Sequence, residues 1–109
     1  MSASIAGNTI SLTRGDSLRV QIHIYNDEAE YTPAAGDTVR FALKKKVTDP
    51  EPLILKSIPI DTLVLAIDPA DTKDLQFGTY RYDIELTTAA GFVNTFIGPA
   101  PFVLTEEVH

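Results

Sequence analysis

The 109-residue chain contains no cysteine, which excludes a disulfide framework, a thiolate metal site and a cysteine nucleophile. Tryptophan is absent as well. Basic residues are few, since nine Lys and Arg stand against fifteen Asp and Glu and give a net charge of −6. Because an acidic protein repels phosphate backbones and anionic lipid headgroups, neither nucleic acid nor a membrane surface is expected as a partner.

Long apolar runs are also missing. No stretch approaches the roughly 20 apolar residues that a transmembrane helix requires. The first twelve residues lack the basic and apolar regions of a secretory signal, so none is expected. The length predicts a single domain over residues 1–109, and a chain of this size can bury a sufficient core without disulfides.

What the sequence does contain is an alternation of apolar and polar residues with a period of two. This alternation predicts strands at residues 18–25, 38–44, 62–67 and 80–87. Composition and turn signals predict further strands at residues 53–58, 92–97 and 102–105, with a hairpin turn at 89–91. A helical turn is expected near residues 68–74, because Asp68 suits an N-cap and Pro69 suits the first helical position. Seven or eight short strands predict an all-β antiparallel sandwich.

The segment that enters the strand at residues 80–87 resembles the E–F corner of immunoglobulin-like domains. A short helical turn is followed by Gly78, Tyr80 and Tyr82 in a Gly-x-Tyr-x-Tyr pattern. In those domains a tyrosine hydroxyl bonds back across the corner, and Tyr80 is the expected corner tyrosine. Tyr82 takes the position that antibody domains give to a cysteine. The resemblance therefore implies an Ig-like sandwich held by apolar packing.

The stretch Thr13 to Ser17 reads TRGDS and admits two interpretations. Arg14-Gly15-Asp16-Ser17 is the tetrapeptide by which integrin ligands engage cell-surface receptors. The same residues suit a turn between strands, because Gly15 has a permissive backbone and Asp16 can bond local amides. A three-residue match has little specificity, so the structural interpretation is preferred.

No constellation of residues predicts catalysis or metal binding. Asp68, Asp71 and Asp74 recur every three residues, which suits an acidic helical turn better than the alternate ligands of a calcium loop. His23 lies on the polar face of its predicted strand and His109 ends the chain, without a Ser-His-Asp arrangement. We therefore predict no catalytic, cofactor-binding or metal-binding residues, and an enzyme is the least supported class.

Longer motifs extend the resemblance over nearly the whole chain. They are YTPxxGDTVRFALKK at residues 31–45, DTLxLxI at 61–67, PxDTKxLxFGxYxYDIEL at 69–86 and FxLTEEV at 102–108. Together they resemble small proteins encoded in prophages and phages of Gram-positive gut bacteria, and they are similar to the Ig-like N-terminal domain of phage baseplate upper proteins. These motifs mark turns, corners and strand faces rather than active residues.

The resemblance implies a non-enzymatic virion structural or assembly protein of a tail, baseplate or neck, present in the bacterial cytoplasm during assembly and then in the virion. Its expected partners are other phage structural proteins or a second copy. The proline-flanked strand and the closing strand are the candidate interfaces, because sheet edges can pair with a neighbour's strand. The candidate residues are Leu53, Ile54, Leu55, Phe102 and Leu104. Both strands could equally be protected edges.

A second hypothesis belongs to another class of protein. β-Sandwiches also serve as carbohydrate-binding or adhesion modules, whose sugar sites present exposed aromatic rings beside polar groups. Tyr25 and Tyr31, near the loop predicted between the first two alternating strands, are the aromatic candidates.

Overall fold

The computed structural model describes residues 3–6, 8–26 and 29–106, with the backbone alone for residues 3–6, 25, 26, 29 and 96. The strands are β1 (Ala3–Ala6), β2 (Thr9–Thr13), β3 (Leu18–Gln21), β4 (Tyr25–Asn26), β5 (Ala29–Glu30), β6 (Thr38–Lys44), β7 (Ile54–Ile58), β8 (Val64–Ile67), β9 (Gly78–Thr87) and β10 (Val93–Thr105). A short helix, α1, spans Pro69–Thr72. Its position agrees with the predicted helical turn, with Asp68 at the N-cap and Pro69 at the first helical position.

Six of the strands form one sheet in the order β1-β2-β10-β9-β6-β7, and β3 pairs with β8 in a second sheet. The strands β4 and β5 form a separate ribbon. Neighbours in the large sheet are antiparallel except β2 and β10, which are parallel. The expectation of a purely antiparallel sandwich is therefore wrong at this one pair. Almost the whole chain separates β2 from β10, so no hairpin turn imposes an antiparallel direction on them.

The core lies between the six-stranded sheet and the β3–β8 pair, which makes the fold an all-β sandwich. Alternate residues of each strand supply it, as the period of two predicts. On β9 these are Tyr80, Tyr82, Ile84 and Leu86, all of which are buried. Leu65 and Ile67 of β8 cover them from the second sheet with no exposed surface.

Two predicted strands are shorter than expected by two residues or more. The strand predicted at residues 18–25 ends at Gln21. The β4–β5 ribbon begins at Tyr25, the last residue of that predicted strand, and continues into the segment predicted as a loop. Next to it, Leu63 adopts a φ of 53°, so β8 begins at Val64 rather than at residue 62. The Ile22 amide still donates to the Leu63 carbonyl at 2.7 Å, which continues the β3–β8 contact for one residue.

The segments predicted at residues 92–97 and 102–105 belong to one strand. β10 runs over 13 residues, and its pairing with β9 shifts register between Thr95 and Ile97 and again between Ile97 and Ala100. The predicted interruption is thus a bulge within a continuous strand. Because β10 lies between β2 and β9, the expectation that the closing strand is an exposed edge is wrong.

The bulge requires glycine at position 98. Gly98 has a φ of +126°, and a Cβ there would lie 2.4 Å from Cβ of Asp83 and 2.9 Å from the carbonyl oxygen of Tyr82. We expect Gly98→Ala to lower the free energy of unfolding by at least about 1 kcal/mol, because it adds a steric clash to backbone strain.

Chemical denaturation of Gly98→Ala beside Gly91→Ala measures that cost. Gly91 also has a positive φ, of +88°, but nothing lies within 4 Å of its Cβ position. Its variant therefore reports backbone strain alone. Equal destabilisation of the two variants would show that the clash with Asp83 contributes nothing.

Candidate functional site

β7 is an edge strand of the six-stranded sheet, as its two flanking prolines predict, and we call its unpaired side the β7 margin. It pairs with β6 on one side, and among the described residues no strand pairs with its other side. Pro52 and Pro59 bound the five residues of the strand. Since an unpaired strand margin presents free backbone donors and acceptors, β7 offers a template for an additional strand.

Side chains of β7 alternate between two faces. Ile54 and Ile58 point into the core and are 6% and 2% exposed. Leu55 points outward and is 55% exposed, and Leu53 just before the strand is 51% exposed. Leu53 and Leu55 thus form an exposed apolar strip on the outer face beside the free margin, which we call the leucine strip.

The charged residue of β7, Lys56, is neutralised within the chain. Its ammonium nitrogen lies 2.8 Å from the carboxylate of Asp71 on α1, and both side chains are largely covered. The same carboxylate accepts a hydrogen bond from the Asp68 amide at 2.7 Å. Burial alone raises the pKa of Asp71, but the Lys56 and Asp68 contacts outweigh it and the pKa is lowered. Lys56 therefore lies alongside the core rather than projecting across the strand margin.

A shallow trough adjoins the leucine strip on the outer face. It exists because Ala42 of β6 is small where its neighbours across the sheet, Leu55 and Asp83, are larger. Two clefts of about 160 and 290 Å³ share Ala42, Lys44 and Asp83. Their remaining linings are Val47, Arg81, Tyr82 and Pro99 in the first and Arg40, Pro52, Leu55 and Glu85 in the second.

Side chains of both charges line the trough, and the negative charge of Asp83 is unfavourable in this position. Burial raises the pKa of Asp83, and the neighbouring Glu85 raises it further while Lys44 lowers it. Arg40 makes a long contact of 3.5 Å with Glu85. A surface of alternating charge next to exposed leucines is suited to a polypeptide partner rather than to a small ligand of one charge.

The five predicted interface residues divide into two groups. Leu53 and Leu55 are exposed at the margin, where a partner can reach them. Ile54, Phe102 and Leu104 are buried, at 6%, 0% and 1% exposure. Their assignment as contact side chains is wrong, because each lies on the inward face of its strand and β10 is internal to the sheet.

The three predicted corner residues are structural. Gly78 begins β9 with a φ of +142°, and the Tyr80 hydroxyl donates to the Gln76 carbonyl at 2.6 Å, the bond expected of a corner tyrosine. The Tyr82 hydroxyl donates to the Asn8 carbonyl, and burial raises the pKa of Tyr82. These contacts anchor the start of β9 to the chain that precedes it.

The TRGDS stretch is a packed turn between β2 and β3. Gly15 has a φ of +85°, and its amide donates to the hydroxyl of Thr72 at 3.1 Å. The Arg14 guanidinium lies 4.2 Å from the centre of the Phe77 ring and donates to the Leu75 carbonyl at 3.3 Å. Since Arg14 is held against the protein, the turn lacks the splayed arginine that integrin recognition needs.

Sequence reasoning missed the role of Asp37. Its carboxylate accepts hydrogen bonds from the Tyr31 hydroxyl at 2.6 Å, the Ala34 amide at 3.0 Å and the Ala89 amide at 3.1 Å. It thereby joins the loop before β6 to the β9–β10 hairpin. The Gly36-Asp37 turn was the available signal. Tyr31 is committed to this network, and the side chain of Tyr25 lies outside the described residues.

Two of the three acidic residues considered for a metal, Asp68 and Asp71, contact cations. Asp68 lies 2.9 Å from Arg19, and Asp71 binds Lys56. Within residues 3–6, 8–26 and 29–106, no three histidines or carboxylates are grouped so that they could hold an ion. His23 contacts Glu30 at 2.7 Å on the exposed surface, and His109 lies outside the described residues.

The TRGDS turn depends on a buried hydroxyl. Thr72 is fully buried, so Thr72→Val leaves the Gly15 amide without its acceptor and we expect a loss of about 1–3 kcal/mol in unfolding free energy. Amide hydrogen exchange at Gly15 should accelerate. Thr72→Ser retains the hydroxyl and loses one methyl, so Gly15 exchange should remain slow. Fast exchange in both variants would contradict this role of the hydroxyl.

Ionisation of Asp37 should stabilise the fold, whereas ionisation of Asp83 should destabilise it. Hydrogen bonds, that from Tyr31 foremost, lower the pKa of Asp37. Its stabilising contribution is therefore present above the ordinary carboxyl pKa of about 4 and is lost as pH falls through the lower folded value. Asp37→Asn should lower Tm at pH 7 and make the loss of stability in acid shallower.

The pKa of Asp83 is raised, so its ionisation as the pH increases lowers the stability of the fold, opposite to the effect of Asp37. Asp83→Asn should thus leave Tm at pH 7 unchanged or higher. Thermal unfolding of both variants between about pH 7 and 3, across the carboxyl range, makes the comparison. A Tm deficit in Asp37→Asn that is equal at every pH would contradict the assignment.

No helix in the described part of the chain is long and apolar enough to cross a membrane. Comparison of the chain with protein-family models, with curated proteins and with solved structures found no match. The arrangement of side chains is therefore the basis for a function, and its most distinctive feature is the unpaired β7 margin with the leucine strip beside it.

Proposed function

We propose that this chain is a non-enzymatic protein-contact module, acting as a structural or assembly protein of a phage or prophage particle. The observation that carries the contact role is the leucine strip, in which Leu53 and Leu55 are each about half exposed beside a free strand margin. The resemblance of the sequence motifs to phage proteins supports the setting, in a tail, baseplate or neck.

The β7 margin combines the two things that strand-addition interfaces use. Backbone groups along the free side of the strand provide main-chain hydrogen bonds, and side chains on alternate positions provide specificity. Leu55 is the large apolar side chain on the outward face of β7, and it also lines the trough. A partner strand that pairs with β7 would cover Leu53 and Leu55 and place its own side chains at the rim of the trough.

The finer fold assignment belongs to the same proposal. The Tyr80–Gln76 hydrogen bond and the sandwich architecture support an Ig-like domain with a tyrosine corner. In this scheme the protein is made in the bacterial cytoplasm and is incorporated into the virion by contacts of its sheet margin. Binding to carbohydrate is the competing function, and Tyr31 supports it less because its hydroxyl is committed to Asp37.

Particles induced from the bacterium that carries the gene test the proposal. We expect the chain in purified particles by mass spectrometry. Leu55→Lys should reduce its incorporation at least about tenfold, because an unpaired charge buried at a contact costs more than about 1.4 kcal/mol. Leu55 is exposed in the free chain, so Tm should be unchanged.

Thr95→Lys is the matched control. Thr95 is exposed on β10, which β9 and β6 separate from β7, so its variant should be incorporated normally. Absence of the chain from particles, or equal incorporation of both variants, would contradict the proposal. Absence from particles together with saturable binding to cell-wall polysaccharide would favour the carbohydrate-binding module.

A further inference from the structure

We propose that β7 pairs antiparallel with β7 of a second copy of this chain, about a two-fold axis that passes through Leu55. This inference rests on the proposed contact role of the β7 margin and names its partner. Pairing in this way joins two six-stranded sheets into one continuous sheet across the dimer. It satisfies the free backbone groups of both copies with one isologous contact.

The pleat of the strand restricts where the axis can lie. Residues directly opposite each other in a sheet point to the same face. Outward Leu55 can therefore face an outward residue of the second copy but never inward Lys56. A two-fold axis must then pass through a residue position, and the candidates are the five residues of β7, Ile54–Ile58.

The flanking prolines remove three of these candidates. Proline cannot donate to a ladder, so uninterrupted pairing stays between Pro52 and Pro59. An axis at Ile54 would place Pro52 opposite Lys56 and leave only residues 53–55 paired. An axis at Ser57 would place Pro59 opposite Leu55 and leave residues 56–58. An axis at Ile58 would place Pro59 opposite Ser57 and leave Ile58 alone. Axes at Leu55 and at Lys56 keep both prolines out of the ladder. The axis at Lys56 pairs residues 54–58, which are β7 itself, and the axis at Leu55 pairs residues 53–57, of which Leu53 directly precedes the strand.

Charge decides between the remaining two. An axis at Lys56 places the two ammonium groups directly opposite each other on the inner face, where each is already largely covered. Like charges directly opposite destabilise a strand pair. The axis at Leu55 instead places Lys56 opposite Ile54 of the second copy, and Asp71 remains available to neutralise each lysine. The axis at Leu55 is thus the one that satisfies pleat, proline and charge together.

The same axis covers the exposed leucines. Leu55 then lies opposite Leu55 of the second copy, and Leu53 lies opposite Ser57 with Leu55 as its diagonal neighbour. Side chains in these relations are within contact distance on an antiparallel pair. Four leucines form one continuous apolar row across the junction. The outer face of the paired segment carries no charge, since Leu53, Leu55 and Ser57 are its side chains.

Formation of this dimer should depend on salt concentration in a distinctive way. Each copy carries a net charge of −6, so two copies repel each other at long range. Added salt screens that repulsion and leaves an apolar, main-chain contact unimpaired. Native mass across a concentration series should show a dimer that is favoured at about 0.2 M NaCl over low salt, where screening is weak. A partner bound by opposite charge would show the reverse dependence.

Single-cysteine variants report the axis, because the chain has no cysteine of its own. Opposed Cα atoms of an antiparallel pair lie about 4.5–5.5 Å apart, within the roughly 4.4–6.8 Å that a disulfide spans. Under mild oxidation Leu55→Cys should form a covalent dimer at least about tenfold faster than Thr95→Cys, because pairing raises the effective thiol concentration. Ser57→Cys should be slow, since its two copies lie about 14 Å apart along the strand in this register.

Mixing two different single-cysteine variants tests the same register with Leu55 left in place. Copies with Leu53→Cys and copies with Ser57→Cys should form mixed disulfides faster than either forms its own, because the two positions face each other in this register. Equal rates for Leu55→Cys and Ser57→Cys, without excess mixed disulfide, would overturn the axis.

A monomeric wild-type chain at all concentrations and salts, with Leu55→Cys no faster than Thr95→Cys, would overturn the self-pairing. That result leaves the proposed contact role standing if Leu55→Lys still fails to enter particles while Thr95→Lys enters, because the partner is then a different chain. Normal incorporation of Leu55→Lys would reject the contact role itself. The two failures are therefore distinguishable.

Discussion

The aromatic contact among Phe41, Tyr82 and Phe102 joins the three central strands of the large sheet, one ring from each of β6, β9 and β10. The ring centres lie 5.5 to 6.4 Å apart in tilted and edge-on arrangements, and the three side chains are nearly or completely buried. Because these rings fix which face of each strand points inward, they also fix which residues point out. The trough around Ala42 and Asp83 is the reverse side of this packing.

The short helix α1 connects that core to the margins of the sandwich. The polar groups of the helix and its N-cap contact different elements. Asp68 binds Arg19 on β3, Asp71 binds Lys56 on β7, and the Thr72 hydroxyl accepts a hydrogen bond from the Gly15 amide of the turn before β3. A four-residue helix contributes little stability by its own hydrogen bonds. The carboxylates of Asp68 and Asp71 instead connect the helix to the second sheet and to β7. These two residues, which the sequence spacing assigned to an acidic helical turn, thus have structural roles.

The local parts of this fold could be predicted from the sequence, and the parts that depend on distant neighbours could not. Alternation gave Thr38–Lys44 to the residue, and the Asp68-Pro69 pair gave the start of α1. The burial of Phe102 and Leu104 was missed because a closing segment shows its inward face but not the strand that pairs with it. The parallel β2–β10 pair, which makes β10 internal, joins residues that lie about ninety positions apart along the chain. The Asp37 network was missed for the same reason, since Ala89 is remote in sequence.

An inward-pointing lysine in the middle of an edge strand ordinarily protects that strand from pairing with another chain, because a second strand would bury the charge. In this protein Asp71 lies beside the ammonium group and removes that penalty. The same carboxylate accepts the Asp68 amide at the start of α1, so its position is set by the helix rather than by the lysine. The availability of β7 for pairing thus depends on a helix in another part of the chain. Because Asp71 neutralises Lys56, a second strand can cover the exposed Leu55 without burying an unpaired charge. Protection at this margin is left to Pro52 and Pro59, which limit the length of a pairing without preventing it.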